Sequence, residues 1–244
     1  MSIHFTLQDW AAFAPGITDR AAWLQWARTP FLPVGEAIPA LLEMPPMQRR
    51  RVDQLGRMAL QVAFQVDLPG PTRLPMVFGS RHGDLHRTFQ MLDELAQELP
   101  LSPTAFGLST HNAIAAQYAI TTGFTGNYSS VAAGRFTAEA AFAEAVASLT
   151  EPDSEAVVVL YDKVLPPAYR EFADEPGADF AWAARIAHAR PGQTRFSLRP
   201  GAPTASDPAD AMPHSLAVLR YLLSNIASWQ ISDAQTSWQW QRHD

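Results

Sequence analysis

The chain contains no cysteine. That absence excludes disulfides, thiolate zinc sites and cysteine nucleophiles together. Lysine is almost missing too: Lys163 is the only one, so Schiff-base chemistry has a single candidate. Charged residues make up 17% of the chain, below the roughly 25% of an average globular domain. No uncharged apolar run approaches the ~18 residues of a membrane span, and MSIHFTLQDW lacks the basic start and apolar stretch of a secretory signal. A cytoplasmic protein without a transmembrane segment is therefore expected. The net charge of −6 argues against a general electrostatic grip on nucleic acid. Neither a P-loop nor a G-x-G-x-x-G occurs, and no internal repeat is visible. What is present is an apolar fraction of 47% over 244 residues, enough for a packed core and incompatible with wholesale disorder.

The apolar pattern predicts alternating strands and helices. Ile3 to Leu7 alternates as a short strand, followed by an apolar turn region from Trp10 to Pro15. Asp19 caps a helix carrying Trp23 and Trp26, which Pro30 stops; Pro33 to Pro46 is punctuated by proline and irregular. Apolar residues at three- and four-residue spacing predict one helix from Met47 to Val66, with Arg49, Arg50 and Arg51 at its start. Cations there oppose the helix dipole, which suggests that they contact something. Leu74 to Phe78 reads as a buried parallel strand, Leu85 to Leu99 as an amphipathic helix, and Ser109 to Thr122 as a nearly uncharged helix buried on several sides. Tyr128 to Ala133 is a small strand, Thr137 to Leu149 a helix with Phe142 and Val146 inward, and Glu155 to Tyr161 a valine-rich buried strand. Asp179 to Ala189 and Thr194 to Leu198 read as strands joined by a turn at Pro191-Gly192. A mobile loop is expected over 200–213, then a helix from His214 to Trp229 and a last strand with Trp238 and Trp240 on one side. The alternation points to an α/β layered fold in a single domain over 1–244.

Two constellations carry possible chemistry. Gly107-Leu-Ser109-Thr-His111 approximates a nucleophile elbow, but its last glycine is a histidine, whose side chain clashes where helix and strand must approach. Ser109 then reads as the N-cap of the helix that follows, and His111 as a cap or a pocket wall. His82 and His86 stand four apart, as metal ligands on a helix can, yet the usual acidic companion is missing and they read as structural or surface histidines.

Three further pieces carry a resemblance: Pro46-Met47-Gln-Arg-Arg leading into Gly56-Arg57-Met58-Ala59; Val77-Phe-Gly79-Ser80 before a helix; and, most specifically, STHNAIAAQYAITTGFTGNYSSVAAG from Ser109 to Gly134. Together they resemble the N-terminal half of a β-ketoacyl synthase of thiolase-like fold, over about residues 1–165. Asn112, Gly123, Gly126 and Ala132 match the family's helix, its Gly-x-x-Gly turn and its alanine-rich approach to the nucleophile. The resemblance implies a mixed sheet with helices on both faces.

It also exposes a departure. Arg135 occupies the position of the nucleophilic cysteine, and a guanidinium cannot take an acyl chain from a carrier protein. A cysteine-free, half-length chain of this kind resembles the chain length factors of type II polyketide synthases, in the form found with aryl polyene and xanthomonadin-type pigment clusters. The resemblance implies a heterodimer with an active β-ketoacyl synthase during polyene or fatty-acid-like elongation, an acyl carrier protein reached through that complex, and no cofactor. It places the interface at the strand with Tyr128, Ser130 and Ala132 and at the Asn112 helix. It places the floor of the partner's acyl tunnel on the helix bearing Leu85, Thr88, Phe89 and Leu92. Arg135 is expected to be structural, held by Glu139 four residues on or by another carboxylate. The alternative from a different class is a small hydrolase or acyltransferase using Ser109 and His111.

Overall fold

A computed structural model describes residues 2–66, 74–203 and 211–244. The chain opens with β1 (Ile3–Phe13), longer than the pattern predicts. It continues through Trp10 because β5 pairs along it to Phe13↔Ala181, with a register shift between Leu7 and Asp9; only its first residues pair with β6. Asp19 caps α1 (Arg20–Arg28) through Ala22 N–H, as expected. The single helix expected over 47–66 is two. The short α2 (Pro46–Arg49) ends in a turn through the arginines, and α3 (Gln54–Gln65) starts afresh where Asp53 accepts from Gly56 N–H.

Next come β2 (Met76–Gly79), α4 (Leu85–Ala96), α5 (Pro103–Leu108), α6 (Ala113–Thr122) and β3 (Tyr128–Val131). After a 3-10 turn at Gly134–Phe136 follow α7 (Thr137–Ala147) and β4 (Glu155–Asp162). A 3-10 segment, Pro167–Phe172, leads to β5 (Phe180–Ala187) and β6 (Arg195–Gly201). The chain closes with α8 (His214–Leu223), β7 (Ser228–Ser232) and β8 (Ser237–His243). The helix expected to reach Trp229 stops at Leu223, and Trp229 instead pairs with Trp240 across β7 and β8. Of the loop expected over 200–213, Pro200 and Gly201 belong to β6, and 204–210 lie outside the described residues.

Among the described residues eight strands form one mixed sheet, ordered β3-β2-β4-β5-β1-β6-β8-β7. β3, β2 and β4 are parallel; the other pairs are antiparallel. β5 and β6 are joined by the Pro191-Gly192 turn but do not pair, because β1 lies between them.

Helices cover both faces. On β4, Ala156, Val158 and Leu160 enter a core that includes Trp23, Phe142 and Leu219 from α1, α7 and α8. Val157, Val159 and Tyr161 enter the other, with Met58, Val62 and Tyr118 from α3 and α6. A strand buried on both faces has no room for polar alternation, which is why Ala156 to Tyr161 reads as an unbroken apolar run. On β5, Phe180, Trp182, Ala184 and Ile186 join the core that holds Phe142 of α7, whereas the small Ala181 and Ala183 let α3 approach closely.

Candidate functional site

In open α/β sheets ligands gather beyond the carboxyl ends of the parallel strands. Here those ends are Gly79, Val131 and Asp162. A Cβ on Gly79 would stand 3.0 Å from Leu160 Cδ2 and 3.3 Å from Thr137 Cγ2, so glycine lets α7 close on the strand end. Ser80 Oγ donates to Asp162 Oδ1 at 2.8 Å, and the same carboxylate accepts from Arg81 and His82 N–H groups at 3.1 and 3.3 Å. The largely buried Arg81 guanidinium meets Glu175 at 2.8 Å and Asp174 at 3.0 Å. His82, Asp162, Arg170 and Phe180 help line a cavity of about 130 Å³ beside this network.

Burial pushes Asp162 up to about 6, outweighing its three donors. The folded state therefore holds this proton more tightly than the unfolded chain, whose value is near 3.8. The favourable contribution is present below about pH 4 and is lost as pH rises to about 6. Asp162→Asn is expected to flatten this part of the profile. Urea melts of both proteins from pH 4 to pH 7 check it; parallel profiles would contradict the assignment.

Arg135 stands in the 3-10 turn ahead of α7. Thr137 Oγ1 accepts from Ala133 N–H at 3.0 Å and donates to Gly134 O at 2.7 Å, fixing that turn. The expected pairing of Arg135 with Glu139 is not formed. Glu139 points inward and is fully buried, with Oε1 at 2.8 Å from His214 Nε2 and 3.0 Å from Trp240 Nε1. Among the described residues, Asp233 in the β7–β8 turn is one carboxylate that the Arg135 charge reaches. Asp233 is held below the usual range mainly by the Gln235 and Thr236 N–H groups, with Arg135 adding to them. The buried Glu139 node escapes a reading of sequence alone. Its signal is a glutamate three residues before Phe142 on the inward face of α7.

No nucleophile–base pair assembles from the other candidates. Ser109 is the C-cap of α5, not the N-cap of the next helix, and its hydroxyl donates to Phe106 O at 2.8 Å. Asn112 takes the N-cap position of α6. His111 turns away to Ser80 O, with Nε2 at 3.0 Å, and its ring packs on Gly83 where a Cβ would stand 3.2 Å away. Gly83 has φ +59, so glycine is required there twice over. His82 lies in the loop and His86 in α4, with Nε2 2.7 Å from Val164 O, so they do not share a helix face. Among the described residues no group of three or more ligating side chains could hold a metal.

The sheet edge is different in kind. Within the described residues β3 pairs only with β2, leaving its outer edge open; it stops at Val131, two residues short of the expected Ala133, and Ala132 lies exposed just past it. Tyr128 is exposed and Ser130 half-buried. α6 is buried through Ala113, Ile114, Ala115 and Tyr118 but leaves Ile120 72% exposed, so it is not covered on several sides as expected. Phe106 on α5 and Leu92 and Leu95 on α4 extend the uncovered apolar surface, while Asn112 is exposed.

α4 is set by its N-cap. Asp84 accepts from Arg87 N–H at 3.0 Å, and the Arg87 guanidinium bridges Asp84 and Asp53, joining the starts of α4 and α3. Thr88 spends its hydroxyl on Asp84 O at 3.0 Å. Phe89 meets Tyr169 of its own chain edge-on, with centroids 5.8 Å apart, and both rings are half-exposed. Leu85 is half-exposed and Leu92 48% exposed. The four α4 candidates thus lie along a lightly covered helix.

Comparison with known proteins places this geometry. The family profile described as "Beta-ketoacyl synthase, N-terminal domain" matches residues 23–241. Among solved structures, one of a ketosynthase, ApeO, in complex with its chain length factor, ApeC, from Xenorhabdus doucetiae is similar at TM-score 0.81 and 25% identity. That match covers 98% of this chain and 100% of the other. The ishigamide ketosynthase/chain length factor matches at TM-score 0.63 and 15% identity, over 82% of this chain and 67% of the other. AntDE:AntF, a type II polyketide synthase acyl-carrier protein in complex with its ketosynthase, matches at TM-score 0.70 and 9% identity, over 99% of each chain. The last two show the fold alone. No curated protein matches the sequence, and no helix among the described residues is long and apolar enough to cross a membrane.

Proposed function

Because the chain belongs to the β-ketoacyl synthase family, matched by its N-terminal domain, we propose that it is a chain length factor: a non-catalytic subunit that pairs with an active ketosynthase and shapes the acyl tunnel. The carrying observation is a ketosynthase fold built from a chain without a single cysteine, with Arg135 at the turn before α7. Condensation requires a thiolate to hold the growing chain as a thioester, and an arginine side chain has no comparable electron pair at any accessible pH. The chemistry then falls to a partner, and the malonyl units reach that partner on an acyl carrier protein. No cofactor is invoked.

The open edge supports the pairing. An uncovered strand edge is a liability unless another chain takes it. In this reading β3 lies antiparallel to its counterpart across a pseudo-twofold axis, with Tyr128, Ser130, Ala132 and the exposed flank of Asn112 and Ile120 covered. The match to a chain of the ApeO–ApeC ketosynthase–chain length factor complex, over 98% of this chain and 100% of the other, supports the same assembly. Co-expression with a cysteine-bearing ketosynthase, followed by light scattering, should give a one-to-one complex. Two species eluting separately at micromolar concentration would count against the proposal.

The tunnel floor is assigned to α4, with Phe89 closing it beside Leu85, Thr88 and Leu92. A close-packed wall does not admit another methylene without cost, so ring volume sets the stop. Phe89→Ala in the reconstituted complex is expected to lengthen the polyene while leaving initiation intact. An unchanged product distribution at normal complex yield would move the stop elsewhere.

A further inference from the structure

The open edge of β3 continues into a helical flank, because α6 packs on β3, α5 on α6 and α4 on α5. On that flank Ile120, Phe106, Leu95 and Leu99 all stand exposed. Its charge is of one sign. From Thr88 to Gly134 the sequence holds no lysine or arginine, and its only acids are Asp93, Glu94 and Glu98. All three lie where α4 ends, beside the exposed leucines. The arginine of α4, Arg87, is held at the opposite end of the helix by Asp84 and Asp53.

Local rules disfavour acids at this place. The carbonyl end of a helix is the negative pole of its dipole and favours cations. Asp93 and Glu94 belong to the last turn of α4, and Glu98 follows its C-cap, Gln97. Glu98 also has φ +56, the left-handed conformation that glycine adopts there at lower cost. The side-chain partners of these acids are neutral amides. Gln90 Nε2 donates to Glu94 Oε1 at 2.9 Å, and Gln97 Nε2 donates to Asp93 Oδ2 at 2.8 Å. The charge that would offset them is a cation, and this flank supplies none.

We propose that this anionic, leucine-bearing flank selects the partner subunit. It favours a ketosynthase whose facing surface carries arginine or lysine around an apolar patch, and it holds two copies of this chain apart. The inference rests on the pairing proposed above and adds what decides between hetero- and homodimer. Two copies joined through β3 would form an isologous contact, each presenting the same flank to the other. Whichever part of that flank the acids met, no cation from Thr88 to Gly134 would be there. Like charges brought together weaken association, and opposite ones speed and strengthen it. Apolar exposure favours both pairings; the sign of the charge separates them.

The test compares two dissociation constants, of this chain for the cysteine-bearing ketosynthase and of this chain for itself, by analytical ultracentrifugation. In the triple variant Asp93→Asn, Glu94→Gln, Glu98→Gln the preference for the ketosynthase over self-pairing is expected to fall about tenfold or more. A control variant, Glu36→Gln, Glu151→Gln, Asp244→Asn, removes three exposed acids from outside the flank and changes the net charge equally. It should leave the preference as it is. In the parent chain, raising salt from about 0.05 M to about 0.5 M should narrow the preference by screening. That salt series decides alone should the triple variant not fold. An unchanged preference in the triple variant, an equal fall in the control, or indifference to salt overturns the selection by charge and leaves the pairing standing. If the parent binds no ketosynthase at all, the pairing proposed above fails, and the selection with it.

Discussion

Ala132→Asp is expected to release the ketosynthase partner while leaving the isolated chain as stable as before. Ala132 is exposed just past the end of β3, so its replacement disturbs no packing within the chain. In the proposed complex the same position is covered, and an unpaired carboxylate buried there costs several kcal/mol, enough to weaken association roughly 100-fold or more. Ser130→Asp should act in the same direction but less cleanly, because its hydroxyl is already buried within the chain. Size-exclusion with light scattering reports the complex and a thermal melt reports the fold. Full co-elution of the Ala132→Asp variant would show that the interface lies elsewhere.

Glu139→Ala is expected to produce the largest loss of stability. Glu139, His214 and Trp240 are completely buried, and the carboxylate joins α7 to α8 and β8 through contacts of 2.8 and 3.0 Å. Removing it leaves the Trp240 indole N–H without its acceptor and strips His214 of its carboxylate. Breaking such a buried pair costs about 3–5 kcal/mol, or roughly 10 °C in Tm for a chain of this size. Glu139→Gln keeps an acceptor and should cost less. A urea melt in which Glu139→Ala falls within ~1 kcal/mol of the parent would mean that the node does not hold the C-terminal layer in place.

Much of the sheet was legible because its residues answer to local rules. The valine run of β4 reads as a strand because both faces are buried, and α1 announces itself through Asp19. The misreadings share a cause: periodicity is blind to where a cap intervenes. The three- and four-residue spacing of 47–66 runs across the turn at the arginines, and only the Asp53 side chain restarts the helix. Ser109 resembles an N-cap locally, yet the preceding Pro103–Leu108 helix claims it as a C-cap. Trp229 continues an apolar pattern that β8 captures as a strand partner. At the site, the position of Arg135 was legible only through the family resemblance. Its expected partner Glu139 was not, because whether a glutamate in an apolar helix faces solvent or His214 is settled by α8, some seventy residues away. Phe89 was picked from α4, but its neighbour Tyr169 comes from a segment with no periodic signal.

In the proposed function this chain controls condensation without performing it. The most direct measurement compares three mixtures of malonyl-loaded acyl carrier protein and primer: with this chain alone, with the cysteine-bearing ketosynthase alone, and with both. The account predicts no elongation and no acyl loading by this chain alone, and products of one defined length only when both are present. Elongation by this chain alone, or a product distribution from the ketosynthase that its addition leaves unchanged, would contradict it.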